Sequence, residues 1–410
     1  MRIQIKYICL TILLITSVTK PQAVDVNEIK LDFGGYVNWT AIYDSRQTVS
    51  AREGHFLLFP KPEILNSLGK DINAVNNFQL AVIQTRVSGK ISGMKFLGAS
   101  TSGLLEAEFM GNADTDVNGF RIRHAFLNLK WEKFSLLLGQ YWIPLFVTEV
   151  FPDQIGSNGG APFQPFGRNP QLRLTYQTGS FKFITALVTQ RDYCSTGPNG
   201  YSSEYLKNAV TPDLHFQAHY NIGDNLFGAG AETKILKPGV ANASSFYSDS
   251  RLNSYAVNAF TKISARPFTF KMQGIYGSNL TDYTMIGGYA VSQHDTVNNT
   301  ESYTPIKTLS VWADIIYGSG LEIGLFTGYT KNLGADDIIT GKYYSRGNNI
   351  KDVIRIAPRI QYKEGNTRFS FEIEYTTAGY GTPDLKGIVN DVTNVSNLRL
   401  YTSIFYFINL

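Results

Sequence analysis

The feature that most constrains this chain is the rhythm of its connections. From about residue 32 onward the sequence shows runs of alternating apolar and polar residues, about 8 to 13 long, and almost no helical periodicity. Sixteen such runs can be counted, near 32–43, 78–90, 99–109, 119–132, 134–141, 170–177, 180–188, 211–221, 225–235, 251–263, 267–276, 306–317, 320–330, 351–362, 367–377 and 397–410. Short turns fall near Glu132-Lys133, Thr178-Gly179-Ser180, Gly223-Asp224-Asn225, Ala265-Arg266-Pro267, Gly318-Ser319-Gly320 and Glu364-Gly365-Asn366, with a slightly longer hairpin at Lys90–Gly98. Mostly long loops alternate with them, at 44–77, 110–118, 142–169, 189–210, 236–250, 277–305, 331–350 and 378–396. All short turns therefore lie at one end of the strands and all long loops at the other. That is the pattern of an all-β, antiparallel, up-and-down transmembrane barrel of about 16 strands. A water-soluble sandwich has no reason to segregate loop lengths this way.

Face alternation agrees. In 211–221, Leu214, Phe216, Ala218 and Tyr220 share one face, and His215, Gln217 and His219 the other. A barrel turns the first face to lipid and the second to water inside. One strand resists: in 119–132, Arg121 and Arg123 share a face with Leu127 and Leu129. A bulge near His124–Ala125, or a protein contact outside, would reconcile them. The final run alternates through Thr402, Ile404, Tyr406, Ile408 and Leu410, like the assembly signal of outer-membrane barrels with Leu in place of the usual Phe.

Composition and the N-terminus set the compartment. Arg2 and Lys6 precede an apolar stretch from Ile8 to Val18, and Ala23 is a plausible cleavage residue, with Pro21 at the usual small-residue position. Residues 1–23 thus read as a secretory signal peptide and 24–410 as one barrel domain. Cys9 lies too early for lipidation, and Cys194 is the single cysteine of the mature chain, so no internal disulfide can form. Losing Arg2, Lys6 and Lys20 from the 37 basic residues leaves 34 against 33 acids. Such a balance gives no reason to expect a nucleic-acid partner. Aromatics at 13 % with charge at only 17 % suit a barrel in outer-membrane lipid with interfacial aromatic girdles.

The longest apolar-rich connection runs from Trp142 to Pro170. Its five prolines and four glycines keep it out of helix and sheet. Yet Phe146, Val147, Val150, Phe151, Ile155, Phe163 and Phe166 are too apolar for a free loop. The expectation is a loop folded into the barrel that narrows it, with Trp142, Glu149, Phe151, Asp153, Phe163 and Phe166 at the constriction. A surface loop packed by its own aromatics is the alternative.

A catalytic reading finds little. His215 and His219 share a strand face but stand roughly 13 Å apart, too far for one metal. There is no Gly-x-Ser-x-Gly elbow, phosphate loop or CxxC, so no catalytic residue, metal or cofactor is assigned. Charge offers more. Alternation turns Arg86, Arg121, Arg123, Arg173, Arg355 and Arg359 inward, and Arg168 closes the long loop. Glu106, Glu108, Glu232, Glu372 and Glu374 stand opposite, and Arg121, Arg123, Arg168 and Arg173 flank the loop and are expected to converge. Opposed charges across a constriction select solutes by charge. A barrel enzyme, or an adhesin or receptor with a closed pore, remains the rival.

The segment from Arg121 to Tyr176 resembles the DcaP-like porins. It carries Gly139-Gln140-Tyr141-Trp142-Ile143-Pro144, then Gly160-Ala161-Pro162, then Arg168-Asn169-Pro170-Gln171-Leu172-Arg173. The opening Asp32–Asp44 looks like a porin first strand. The resemblance is firm over about 119–177 and architectural elsewhere. It implies a sixteen-stranded homotrimeric outer-membrane porin passing small anionic solutes such as dicarboxylates. By position it matches Arg121, Arg123, Arg168 and Arg173 to basic pore residues. The N-terminal coiled coil of some members is absent here.

Overall fold

The computed structural model describes residues 29–156, 159–240 and 247–409; the expected leader over 1–23 and Leu410 lie outside them. Sixteen antiparallel strands close into a barrel. They are β1 (Lys30–Asp44), β2 (Asn77–Ala81 continued by Arg86–Phe96), β3 (Ala99–Glu108), β4 (Arg121–Lys130), β5 (Phe134–Trp142), β6 (Arg168–Thr178), β7 (Phe181–Val188) and β8 (Asp213–Ile222). There follow β9 (Asn225–Leu236), β10 (Leu252–Ala265), β11 (Phe268–Ser278), β12 (Thr300–Ser319), β13 (Leu321–Gly334), β14 (Ile350–Glu364), β15 (Thr367–Pro383) and β16 (Val389–Asn409). Each strand pairs with its sequence neighbours, and β1 closes the ring on β16, from Gly34 opposite Asn409 to Asp44 opposite Arg399. Closure leaves no sheet edge, which a barrel in lipid requires because hydrocarbon cannot satisfy a free backbone N–H or C=O.

The wall obeys period two. On β8, Leu214, Phe216 and Tyr220 are exposed outside, while His215, Gln217 and His219 are buried inside. On β14, Ile354, Ile356, Ile360 and Tyr362 point out and Arg355, Ala357 and Arg359 point in. Aromatic pairs gather near the short turns (Phe134–Tyr176, Phe181–Tyr220, Phe268–Tyr317) and again near the loops (Tyr255–Tyr276). Two such belts are where amphipathic rings sit at the two membrane interfaces.

The strand that resisted alternation carries a bulge, one residue earlier than expected. Glu106 faces His124 and Ala107 faces Ile122, so Arg123 is the extra residue on β4. The bulge lets Arg121, Arg123 and His124 all turn inward while Ile122 and Leu127 remain outside.

Other boundaries move. β2 is interrupted over 82–85, where Ile83 turns into the lumenal core. The hairpin expected at Lys90–Gly98 is a two-residue turn at Leu97-Gly98. Both residues there have left-handed backbone, as a primed turn requires, so β2 runs on to Phe96. The loop expected at 378–396 shrinks to 384–388 because β15 and β16 extend far above the membrane belt. Strands also occur inside two expected loops, at Gly287–Asp295 and Tyr343–Arg346, which pair with each other and heighten the wall.

The apolar core sits within the lumen. One cluster joins Phe56, Ile143, Leu145, Phe146, Phe166, Tyr193, Tyr283 and Met285, residues drawn mostly from four loops. A second seats Val147, Val150, Ala161 and Phe163 against Trp312, Phe326 and Ala357 of the opposite wall. Loops that bury this much apolar side chain are fixed parts of the structure.

Candidate functional site

The stretch 143–167 crosses the lumen and docks on the far wall. At its root Trp142 stacks on Phe146 at 3.9 Å, and Phe166 meets both rings edge-on. Pro144 O and Leu145 O accept from Gln217 Nε2 on β8 and Gln273 Nε2 on β11, at 3.1 and 3.0 Å. Further along, Asp153 N donates to Asp314 Oδ2 at 2.8 Å, and Lys271 Nζ reaches Asp153 Oδ2 at 2.7 Å. Ser310 Oγ donates to Phe163 O at 2.9 Å, and Arg355 Nη1 to Ala161 O at 2.9 Å. Gly328 of β13 makes the seat for Phe163, since a Cβ there would come 2.5 Å from the ring. Polar wall residues thus satisfy the loop's backbone while its aromatics fill the space between.

Where the loop returns to β6, an ion network forms. Arg121 Nη2 and Arg123 Nη1 grip the two oxygens of the fully buried Glu108, at 2.6 and 2.7 Å. Arg123 Nε also donates to Glu106 at 2.8 Å, and Arg86 reaches Glu108 at 3.2 Å. Arg121 Nη1 and Arg168 Nε converge on the carboxylate of Asp192, each at 2.9 Å, and Arg52 stands 4.0 Å from it. Asp192 lies in the loop between β7 and β8. Burial would raise its pKa, but the guanidinia of Arg168, Arg121 and Arg52 overcome that and hold it at about 2. Five arginines against Glu106, Glu108 and Asp192 leave a formal excess of two positive charges (5 − 3 = +2).

Beside this network the loop leaves open a cavity of about 610 Å³. Its floor is Trp142, Phe146, Phe151 and Phe166 of the loop; its charged lining is Arg86, Glu106, Arg123, Asp153, Glu322 and Arg368. Such a space is large enough to hold water and a small polar solute.

No family model matches the sequence, and no curated protein matches it. Solved structures do share the fold. The outer membrane channel DcaP of Acinetobacter baumannii superposes with a TM-score of 0.68 at 16 % identity, over 94 % of this chain and 99 % of that one. The barrel is a porin fold. An outer-membrane expressed OmpT of Vibrio cholerae (TM-score 0.56, 13 % identity, 94 % and 100 % covered) and an anion-selective porin from Comamonas acidovorans (0.55, 10 %, 93 % and 100 %) superpose along similar lengths. The expected resemblance to a DcaP-like porin therefore holds for the fold. A closed barrel with an apolar outer belt, of the architecture these outer-membrane proteins share, belongs in the outer membrane.

Within this porin fold the arginines expected inside are inside, but they do not form one group. Arg121, Arg123 and Arg168 come together, joined by Arg86. Arg173 stands apart. It bonds Gln171 Oε1 at 2.9 Å, lies 5.2 Å over the Tyr141 ring and lines a second, smaller cavity of about 210 Å³ with Glu149, Lys182 and His219. Register explains this: β6 runs from the loop's return point at Arg168 toward the short turn after Thr178, so Arg173 sits five residues along the wall from Arg168. Arg359 is locked bidentately on Asp314 at 2.7 and 2.9 Å, and Arg355 is spent on backbone carbonyls. Both brace the loop from the wall and neither lines the larger cavity. Trp142, Phe151, Asp153 and Phe166 do line it, Glu149 pairs with Lys182, and Phe163 is fully buried against Phe326. Among the described residues no group of three His, Cys, Asp or Glu is placed to hold a metal.

Sequence reasoning passed over Arg52, Asp192, Glu322 and Arg368. Alternation could have found two of them: Glu322 lies between the exposed Leu321 and Ile323, and Arg368 precedes the exposed Phe369. Arg52 and Asp192 come from loops, where no period marks the inward face.

Proposed function

We propose that this protein is a passive diffusion channel of the outer membrane for small hydrophilic solutes, with a preference for small anions such as dicarboxylates, and that it works as a homotrimer. The observation that carries the reading is the arginine-rich network with its excess of two positive charges, set beside the polar cavity of about 610 Å³ that the inward loop leaves open. A low-dielectric wall around such an excess focuses its field on the solute path. Guanidinium pairs suit carboxylate geometry. The trimer is supported by a shallow apolar groove on the outer wall, lined by Leu31, Phe33, Gly89, Ile91, Gly103 and Leu105, where another barrel could pack closely.

The test is conductance of the refolded protein in a planar bilayer, with reversal potential under a salt gradient. Stable steps with an anion-favouring reversal potential are expected, with closures in three equal steps. A cation-favouring potential would overturn the anion preference, and silence from demonstrably folded protein would overturn the channel.

A further inference from the structure

The three acids of the network differ in where they come from. Glu106 and Glu108 sit on β3, fixed by the strand ladder. Asp192 alone is brought in by a loop, and its placement is built. Asn169 Oδ1 accepts from both Arg191 N and Asp192 N, at 2.9 and 3.1 Å, and Tyr201 Oη donates to Asp192 O at 3.3 Å. Its side chain is 5 % exposed, and one oxygen takes both Arg168 N (3.2 Å) and Arg168 Nε while the other takes Arg121 Nη1. Even so, Arg168 Nη1 finds no hydrogen-bond partner, although Arg168 is fully buried, 4.8 Å over the ring of Trp142, which itself lines the larger cavity.

We infer that Asp192 is a tethered carboxylate that occupies the anion-binding face of Arg121 and Arg168 and thereby sets how strongly the channel selects by charge. This rests on the anion-passing channel reading above. The carboxylate does from a loop what a passing solute carboxylate would do: it accepts from two guanidinia and a backbone N–H. While it is in place the network carries a net excess of two; without its charge the excess is three (5 − 2).

The experiment compares wild type with Asp192→Asn and Asp192→Glu, each shown to be folded by heat-modifiable migration, under a potassium chloride gradient. Asp192→Asn should raise the anion-to-cation permeability ratio about threefold, and the gain should shrink as salt rises. Asp192→Glu, which keeps the charge, should stay close to wild type. Asn169→Ala, which frees the backbone of Arg191 and Asp192 while leaving every charge, should give a smaller rise and serves if Asp192→Asn does not fold. An unchanged ratio in the folded variants overturns the role of Asp192 and leaves the channel intact. A wild type that is silent or cation-selective instead overturns the reading on which the role stands.

Discussion

Arg355 shows how one side chain can hold two inward loops against the barrel wall. It has no exposure, and it spends its donors on Ala161 O of the long loop, on Leu57 O and Leu58 O of the hairpin formed by Thr48–Ala51 and Phe56–Pro60, and on Thr376 Oγ1. Glu374, equally buried, stands 4.0 Å away. Removing such a cation takes the donor from three buried carbonyls and one ion-pair partner from a buried acid, a loss of about 3–5 kcal/mol. Arg355→Ala is therefore expected to free both inward segments without opening the barrel: noisier single-channel current, and faster proteolysis between residues 45 and 60 in intact folded protein. Asp192 makes a pH prediction. Its pKa of about 2 in the fold lies below the ordinary value of 3.8, so its ion pairs are fully present above about pH 4 and are lost as pH falls through 2. The selectivity difference between wild type and Asp192→Asn should thus be flat from about pH 7 to about pH 4 and fade below about pH 3.

The inward loop is the element that distinguishes this barrel from an empty tube. Its apolar residues were legible as residues needing cover, because an exposed run of this kind is unfavourable at about 25 cal/mol per Å². The face that covers them was not legible. Trp312, Phe326 and Ala357 sit at lumenal positions that alternation alone would fill with water, and they are apolar because the loop lands there. Excising residues 147–163 while joining the flanking chain should raise single-channel conductance severalfold, since the cross-section would then be set by the wall. Conductance equal to wild type in the folded deletion would show that the loop does not limit flow. The bulge at Arg123 was legible as a conflict between two arginines and two leucines on one face. Its exact site was not, because either neighbour could have absorbed the extra residue.

For the whole molecule, the sequence alone determined the barrel. Period-two runs fix which faces meet lipid, and the segregation of short turns from long loops fixes the up-and-down path; both are local signals, read within ten or so residues. It also determined that arginines face inward, since side-chain direction follows from parity along each strand. Only the tertiary structure decided which of those arginines meet. Arg52 and Asp192 come from two loops and Arg121 and Arg168 from two strands, up to 140 positions apart, and what joins them is the closure of the ring and the return of the loops into it. The reason is physical: strand alternation is a property of neighbouring residues, whereas loop placement follows from which buried charges and apolar surfaces can be satisfied together once the wall has closed.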